Sequence, residues 1–362
     1  MRWDIFCKVI DNFGDVGVCW RLSAQLAARG EQVRLWLDDT QALAWMAPGA
    51  LKGAVPGIEV VHWTTPLSPD WQESAAVSDV WIEAFGCDPP AEWVAALGQR
   101  VKDGARAPVW INLEYLSAES YVERSHRLPS PVMSGPARGL TKWFFYPGFT
   151  ERTGGLLREN DMLARQAAFD ASSWLQGMGL ASSREALRVS LFCYEPAALR
   201  TVLRQAGHAT SPSDWLVTPG RAWQAMQAVP DPTGAACRLH PLPLLAQHDF
   251  DHLLWACDLN FVRGEDSLVR ALWAGQAFVW QIYPQHDNAH HAKLAAFLDW
   301  LHAPESLRDF HHAWNGIGAK PALWPDRATL AQWRDCTRQA RQRLLAQPDL
   351  ASQLTGFVLE KR

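Results

Sequence analysis

Short apolar runs of strand length alternate with segments of helical spacing, and this alternation passes along the chain twice. Residues 3 to 9, 32 to 37, 58 to 63, 79 to 85 and 108 to 114 are rich in Val, Ile, Leu, Phe and Trp and too compact for helices, so they read as buried parallel strands. Between the first two, Val18, Leu22 and Leu26 recur at helical spacing until Gly30 stops the pattern, which predicts a helix over Val18 to Arg29. After a polar, helix-prone stretch at about 155 to 185 the alternation restarts. It predicts a strand at 187–193, a helix at 196–206, a strand at 214–218, a helix at 220–228, and short strands near 237, 259 and 277. The tail from about 328 is helical in pattern. The fold class expected is α/β, with two Rossmann-like, doubly wound domains facing a cleft, since open α/β sheets bind ligands beyond the carboxyl ends of their strands.

A chain of 362 residues suits two domains better than one. The Ser- and Gly-containing stretch from Ser172 to Ser183 suggests the boundary, giving domains at 1–178 and 179–345 and a C-terminal helix at 346–362 that returns to the first. With 48% hydrophobic and 20% charged residues the composition is that of a globular protein. A net charge of −4 from intermixed acidic and basic residues supplies no field for a phosphate backbone, so no nucleic-acid partner is expected. The seven cysteines form no CxxC and mostly sit in apolar runs, and neither a signal-peptide pattern nor an apolar stretch of ~18 residues is present, so a cytoplasmic protein without a membrane anchor is expected. Most of the 20 tryptophans, among them Trp36, Trp81, Trp110 and Trp280, occupy core-like positions and are given structural roles.

Two strand–loop–helix junctions concentrate polar chemistry. The first strand ends in Asp11-Asn12-Phe13-Gly14-Asp15-Val16-Gly17, where two carboxylates four positions apart and two glycines make an acidic pocket at a ligand-binding sheet edge. Asp15 alone is equally read as a helix cap. The second junction is Arg263-Gly264-Glu265-Asp266-Ser267, between the apolar run Leu259 to Val262 and the helical pattern of Leu268, Val269, Leu272 and Trp273. Free amides at such a helix start favour an anion, and Arg263 and Ser267 would add charge and a donor for a diphosphate; an ordinary cap by Asp266 or Ser267 accounts for the same residues. Phe192 and Tyr194 alternate with Leu191 and Cys193, so both rings point to one face and suit either a base or sugar or the core. His286, His290 and His291 lack both a third ligand and the glutamate of HExxH, so no metal is expected. The absence of GxGxxG, GxxxxGK[ST] and GxSxG disfavours a dehydrogenase, a P-loop nucleoside triphosphatase and an α/β-hydrolase, which leaves nucleotide-sugar chemistry.

The segments IDNFGDVGVCWRLSAQLA, SLFCYE and QHDFDHLLWACDLNFVRGEDSLVRALWAGQAFVWQIYPQ, together with the overall length, resemble the bacterial elongation factor P arginine rhamnosyltransferases. The resemblance implies a GT-B glycosyltransferase that moves rhamnose from dTDP-β-L-rhamnose to one arginine of translation elongation factor P, with inversion and without a metal or other cofactor. It assigns acceptor chemistry to the first domain and the dTDP-sugar to the second. Carried over, Asp15 resembles the family's general base, Asp11 its loop partner, and Glu265 an acid beside the sugar nucleotide. Tyr194, Gln247, Phe250, Arg263, Asp266 and Ser267 match positions that hold the nucleotide and diphosphate, with Gly264, Phe192, Asn12, Phe13 and Gly14 in the same pocket. Rival readings are a GT-B transferase with another sugar or acceptor, a non-catalytic nucleotide-sugar binding protein, and, last, an NAD-dependent oxidoreductase.

Overall fold

The computed structural model describes residues 1–9, 13–63, 78–180, 185–229, 236–285 and 288–362. The chain forms two compact units, Met1–Asn160 joined by Gln347–Arg362, and Asp161–Ala346.

In the first unit, strands β1 (Arg2–Cys7), β2 (Gln32–Leu37), β3 (Ile58–His62), β4 (Val80–Ala84), β5 (Val109–Leu113), β6 (Pro129–Pro131) and β7 (Thr141–Phe145) form one sheet in the order β3-β2-β1-β4-β5-β7-β6. All neighbours run parallel except β6, which pairs antiparallel with β7 at the edge. Two-residue periodicity sorts the side chains between the two faces. Ile5, Leu35, Ile82 and Ile111 meet the helices Phe13–Ala27 and Leu350–Lys361, while Phe6, Trp36, Trp81 and Trp110 gather with Trp93 on the other face. Many of the tryptophans are therefore one aromatic layer, with Trp36 and Trp93 4.6 Å apart between ring centres. A polar knot lies beside it: Arg34 donates to both oxygens of buried Asp4, at 2.6 and 2.7 Å, and Trp36 Nε1 donates to the same carboxylate.

The second unit repeats the plan with β8 (Leu187–Leu191), β9 (Ser213–Val217), β10 (Cys237–Pro241), β11 (Leu259–Arg263) and β12 (Ala277–Gln281), all parallel, in the order β10-β9-β8-β11-β12. Among the parallel strands of each sheet the order reverses once, between β1 and β4 and between β8 and β11, and these reversals are where open α/β sheets receive ligands.

The division after Asn160 differs from the boundary read at 178/179. The serines that suggested a linker belong to a helix, Ala171–Gly177, whose cap Asp170 accepts hydrogen bonds from the amides of Ser172 and Ser173. That helix packs Leu175 and Trp174 near Leu253 and Ala256, and Gln166 donates to the carbonyl of Ala274, so the segment is second-unit material. The helical tail is two helices, Arg327–Leu345 and Leu350–Lys361, and the second is built into the first unit. Asp349 caps it and pairs with Arg29 at 2.7 Å, and a Cβ on Gly155 (φ +70°) would meet the Pro348 carbonyl at 2.6 Å. The sequence reading places no strand between 115 and 155, where β6 and β7 lie.

Buried His311 ties β12 to the helix Glu305–Trp314: its Nδ1 donates to Leu307 O, and its Nε2 accepts from the Trp280 amide at 3.0 Å. The bond accepted at Nε2 requires the neutral ring, since a protonated Nε2 has no lone pair to offer the Trp280 amide, and burial lowers the ring's pKa to about 4. Above the ordinary histidine pKa of ~6.5 folded and unfolded forms are both neutral; below it the unfolded chain takes the proton first, so this part of the stability is lost between about pH 6.5 and 4. We expect the thermal midpoint to fall over that window, and to fall less in His311→Gln measured against its own neutral-pH value; parallel curves for the two proteins would exclude His311 as a cause.

Candidate active site

At the first reversal the helix begins at Phe13, five residues before the expected Val18. Asp15 therefore stands inside the first turn, where a carboxylate is favoured by the helix dipole. Asp11 and Asn12 lie outside the described residues. Phe13, half exposed, meets Trp45 edge-on at 5.6 Å, and Gly14 is partly buried beside it. Asp15 is also partly buried. Its charge is felt at Cys7, the last residue of β1, whose thiol is pushed well up by a hydrogen bond with Cys19, by burial, and by Asp15 and Asp38. Asp38 accepts from the Val9 amide at 2.8 Å, so two carboxylates flank the end of β1.

At the second reversal β8 ends at Leu191, two residues before the expected 193, so Phe192 and Tyr194 belong to the loop beyond it. Their rings do share a face: the Arg263 guanidinium lies 4.5 Å from the Phe192 ring centre and 4.6 Å from that of Tyr194, and Arg263 Nη1 donates to the Cys193 carbonyl. This aromatic clamp fixes a planar cation where β11 passes into the helix Gly264–Ala274. Burial lowers the Arg263 pKa, which leaves it still charged at neutral pH. Arg263 itself occupies the cap position, and its side chain does not cap the helix. Ser267 donates its hydroxyl proton to the Arg263 carbonyl; its oxygen lone pairs face outward chemistry only as acceptors until that bond is exchanged.

Gly264 adopts φ +70°, a left-handed conformation that costs other residues about 1 kcal/mol or more, and a Cβ there would approach the Tyr194 hydroxyl at 3.7 Å. Its carbonyl accepts from Trp280 Nε1 at 2.8 Å, so Trp280, read from the sequence as core alone, also holds the turn. Glu265 pairs with Lys293 at 2.5 Å, and Asp266 is partly buried in the same turn. Phe250 meets Phe192 at 5.4 Å, and Gln247 is buried at the start of the helix Gln247–Ala256. That helix is fastened to Gly264–Ala274 by the buried pair Asp251–Arg270.

The sequence reading missed Arg221, which stacks on Tyr194 at 4.7 Å and pairs with Glu195, as well as Gln281, whose Oε1 accepts from the Tyr194 amide, and Lys293. Each comes from a different element, so no local spacing signals them. Of the three histidines considered for a metal, His286 lies outside the described residues, and His290 Nδ1 accepts from the Gln285 amide. The arrangement is suited to an anion: one clamped guanidinium and a row of helix amides around a glycine turn.

Residues 3–359 match the family model described as Elongation-Factor P (EF-P) rhamnosyltransferase EarP. The protein-arginine rhamnosyltransferase of Pseudomonas putida (strain KT2440) is 43% identical, over 98% of each chain. A solved structure presented as the structural basis for EarP-mediated arginine glycosylation of translation elongation factor EF-P aligns over 100% of this chain and 99% of its own, with a TM-score of 0.64 and 30% identity. The crystal structure of Acinetobacter baumannii MurG aligns at a TM-score of 0.52 and 13% identity over 99% of this chain and 100% of its own, a likeness of fold.

Proposed function

The chain belongs to the elongation factor P rhamnosyltransferase (EarP) family of GT-B glycosyltransferases, and from that premise we propose that it transfers L-rhamnose from dTDP-β-L-rhamnose to an arginine of elongation factor P. The observation that carries this reading is the coincidence of the family match with polar clusters at both sheet reversals, one acidic and one built for an anion. The reaction proposed is inverting and metal-independent and uses no cofactor; the sugar nucleotide is a substrate. A cytoplasmic location fits the acceptor, and among the described residues no helix is long and apolar enough to cross a membrane.

Free arginine, with a pKa above ~12, is not a nucleophile near neutral pH. In the proposed mechanism Asp11 and Asp15 hold the guanidinium by charge-assisted bonds and aim one nitrogen at the anomeric carbon. The C–N bond forms as the bond from that carbon to the diphosphate oxygen breaks, and the proton released from nitrogen passes to Asp15. Arg263 and the amides of the Gly264–Ala274 helix take up the charge on the departing dTDP. Tyr194, Gln247, Phe250, Phe192, Gly264, Asp266 and Ser267 shape the nucleotide pocket, and Asn12, Phe13 and Gly14 the loop that presents the carboxylates. Glu265 acts as a partner of Lys293 and of the sugar nucleotide, not as an acid that protonates the leaving group.

The test is the intact mass of elongation factor P after incubation with this protein and dTDP-L-rhamnose. A gain of ~146 Da, one deoxyhexose, on a single arginine is expected; donor binding without any gain would refute the acceptor, and failure to bind dTDP would refute the donor. Arg263→Lys keeps the charge but loses the planar group clamped between two rings. It is expected to weaken dTDP binding by about 10-fold or more in calorimetry, and unaltered affinity would remove Arg263 from the donor site.

A further inference from the structure

The carboxyl edge of the first sheet carries a second acidic position that the proposed chemistry does not use. β1, β4, β5 and β7 are parallel neighbours, so the residues that follow them emerge in a row: the Asp15 turn after β1, Phe85 after β4, Glu114 and Tyr115 after β5, and Tyr146 after β7. Phe85 holds φ +59°, unusual for a bulky residue, and stacks on Tyr115 at 4.9 Å and 26°. Tyr121 meets Tyr146 edge-on at 5.9 Å. Tyr115 and Tyr121 are each 41% exposed, so these rings form an outward-facing wall and not a core.

Glu114 stands half-buried among them. Its amide is fixed to the Phe145 carbonyl, and its Oε1 accepts from Asn112 Nδ2 at 2.8 Å. Among the described residues no cation pairs with Glu114; Lys142 on β7 pairs with Glu83, and Arg152 with Glu123. Burial raises its pKa, as it does for Tyr146, which is pushed up to about 12 by burial and then by the Glu114 charge. A desolvated carboxylate with aromatic walls and no counter-charge is complementary to a cationic side chain, which gains both the ion pair and the ring faces.

We propose that Glu114, walled by Tyr115 and Tyr121, is a docking site for the arginine-bearing segment of the protein acceptor, and that it binds a second basic side chain of that segment beside the reacting arginine. The proposal rests on the function proposed above. β5 lies two strands from β1, about 10 Å at the usual strand spacing, and an extended peptide covers that distance in about three residues. The basic residue recognised is thus about three positions from the modified arginine.

The experiment measures rhamnosylation of elongation factor P at varied acceptor concentration for the wild type, Glu114→Gln and Tyr115→Ala, with dTDP affinity and thermal midpoint measured alongside. Both variants are expected to raise the acceptor KM about tenfold or more, with the loss lying in KM and not in kcat and with dTDP affinity kept. Alanine at the basic acceptor residue should reproduce the loss in the wild type and add little in Glu114→Gln. An unchanged acceptor KM in a folded Glu114→Gln, a loss confined to kcat, or full additivity with every basic acceptor residue overturns the docking site while leaving the transferase reading intact. A wild type that does not modify elongation factor P overturns that reading first.

Discussion

Asp15→Asn is expected to lower turnover on elongation factor P by on the order of 10²- to 10⁴-fold, the range by which a positioned general base accelerates a reaction. Asn is nearly isosteric and suits the first turn of the Phe13–Ala27 helix, so the fold should survive; it accepts hydrogen bonds but does not take the guanidinium proton at neutral pH. The proposed dTDP site lies in another unit of the chain, at the ends of β8 and β11, so donor affinity should be unaltered. Kinetics at saturating donor and acceptor, with calorimetry of dTDP, decide the point. Asp15→Asn turning over at near wild-type rate would remove Asp15 as the base; loss of turnover together with loss of dTDP binding would point to a damaged fold.

The largest effect on stability is expected at Asp251. Its carboxylate receives Nε and Nη2 of Arg270 at 2.8 and 2.7 Å, with both side chains 1% exposed. Asp251→Ala would strand a buried guanidinium, which typically costs about 3–5 kcal/mol. For a unit of this size that is a fall of roughly 10 °C in the thermal midpoint of its transition. The pair joins the Gln247–Ala256 helix to the Gly264–Ala274 helix, both part of the proposed donor site, so on that proposal the same variant should also weaken dTDP binding. Replacing both partners by apolar residues of similar volume, as in Asp251→Leu with Arg270→Met, should recover most of the stability, because no charge is then left buried. A single Asp251→Ala with an unshifted midpoint would contradict the argument.

The sequence by itself determined the alternation of strands and helices, because burying a parallel sheet on both faces demands short apolar runs, and these are visible without any partner. It also located the two polar junctions, since a strand, a glycine-containing turn and a helix start are neighbours along the chain. Tertiary structure alone decided what lies around them. Trp280 and Gln281 on β12, Arg221 after β9 and Lys293 on a later helix reach the Arg263 turn through sheet order, which sequence spacing does not encode. The unit boundary was misread for a related reason: Ser172 and Ser173 look like linker residues in composition, whereas their amides are bound by the Asp170 cap of a helix that packs into the second unit. The early start of the Asp15 helix is of the same kind, for Gly14 and Gly17 suggest a loop while burial of Val16, Cys19 and Leu22 against β1 and its neighbours holds them in a helix. Local pattern records which residues prefer to be buried; only the packed sheet determines which of them meet.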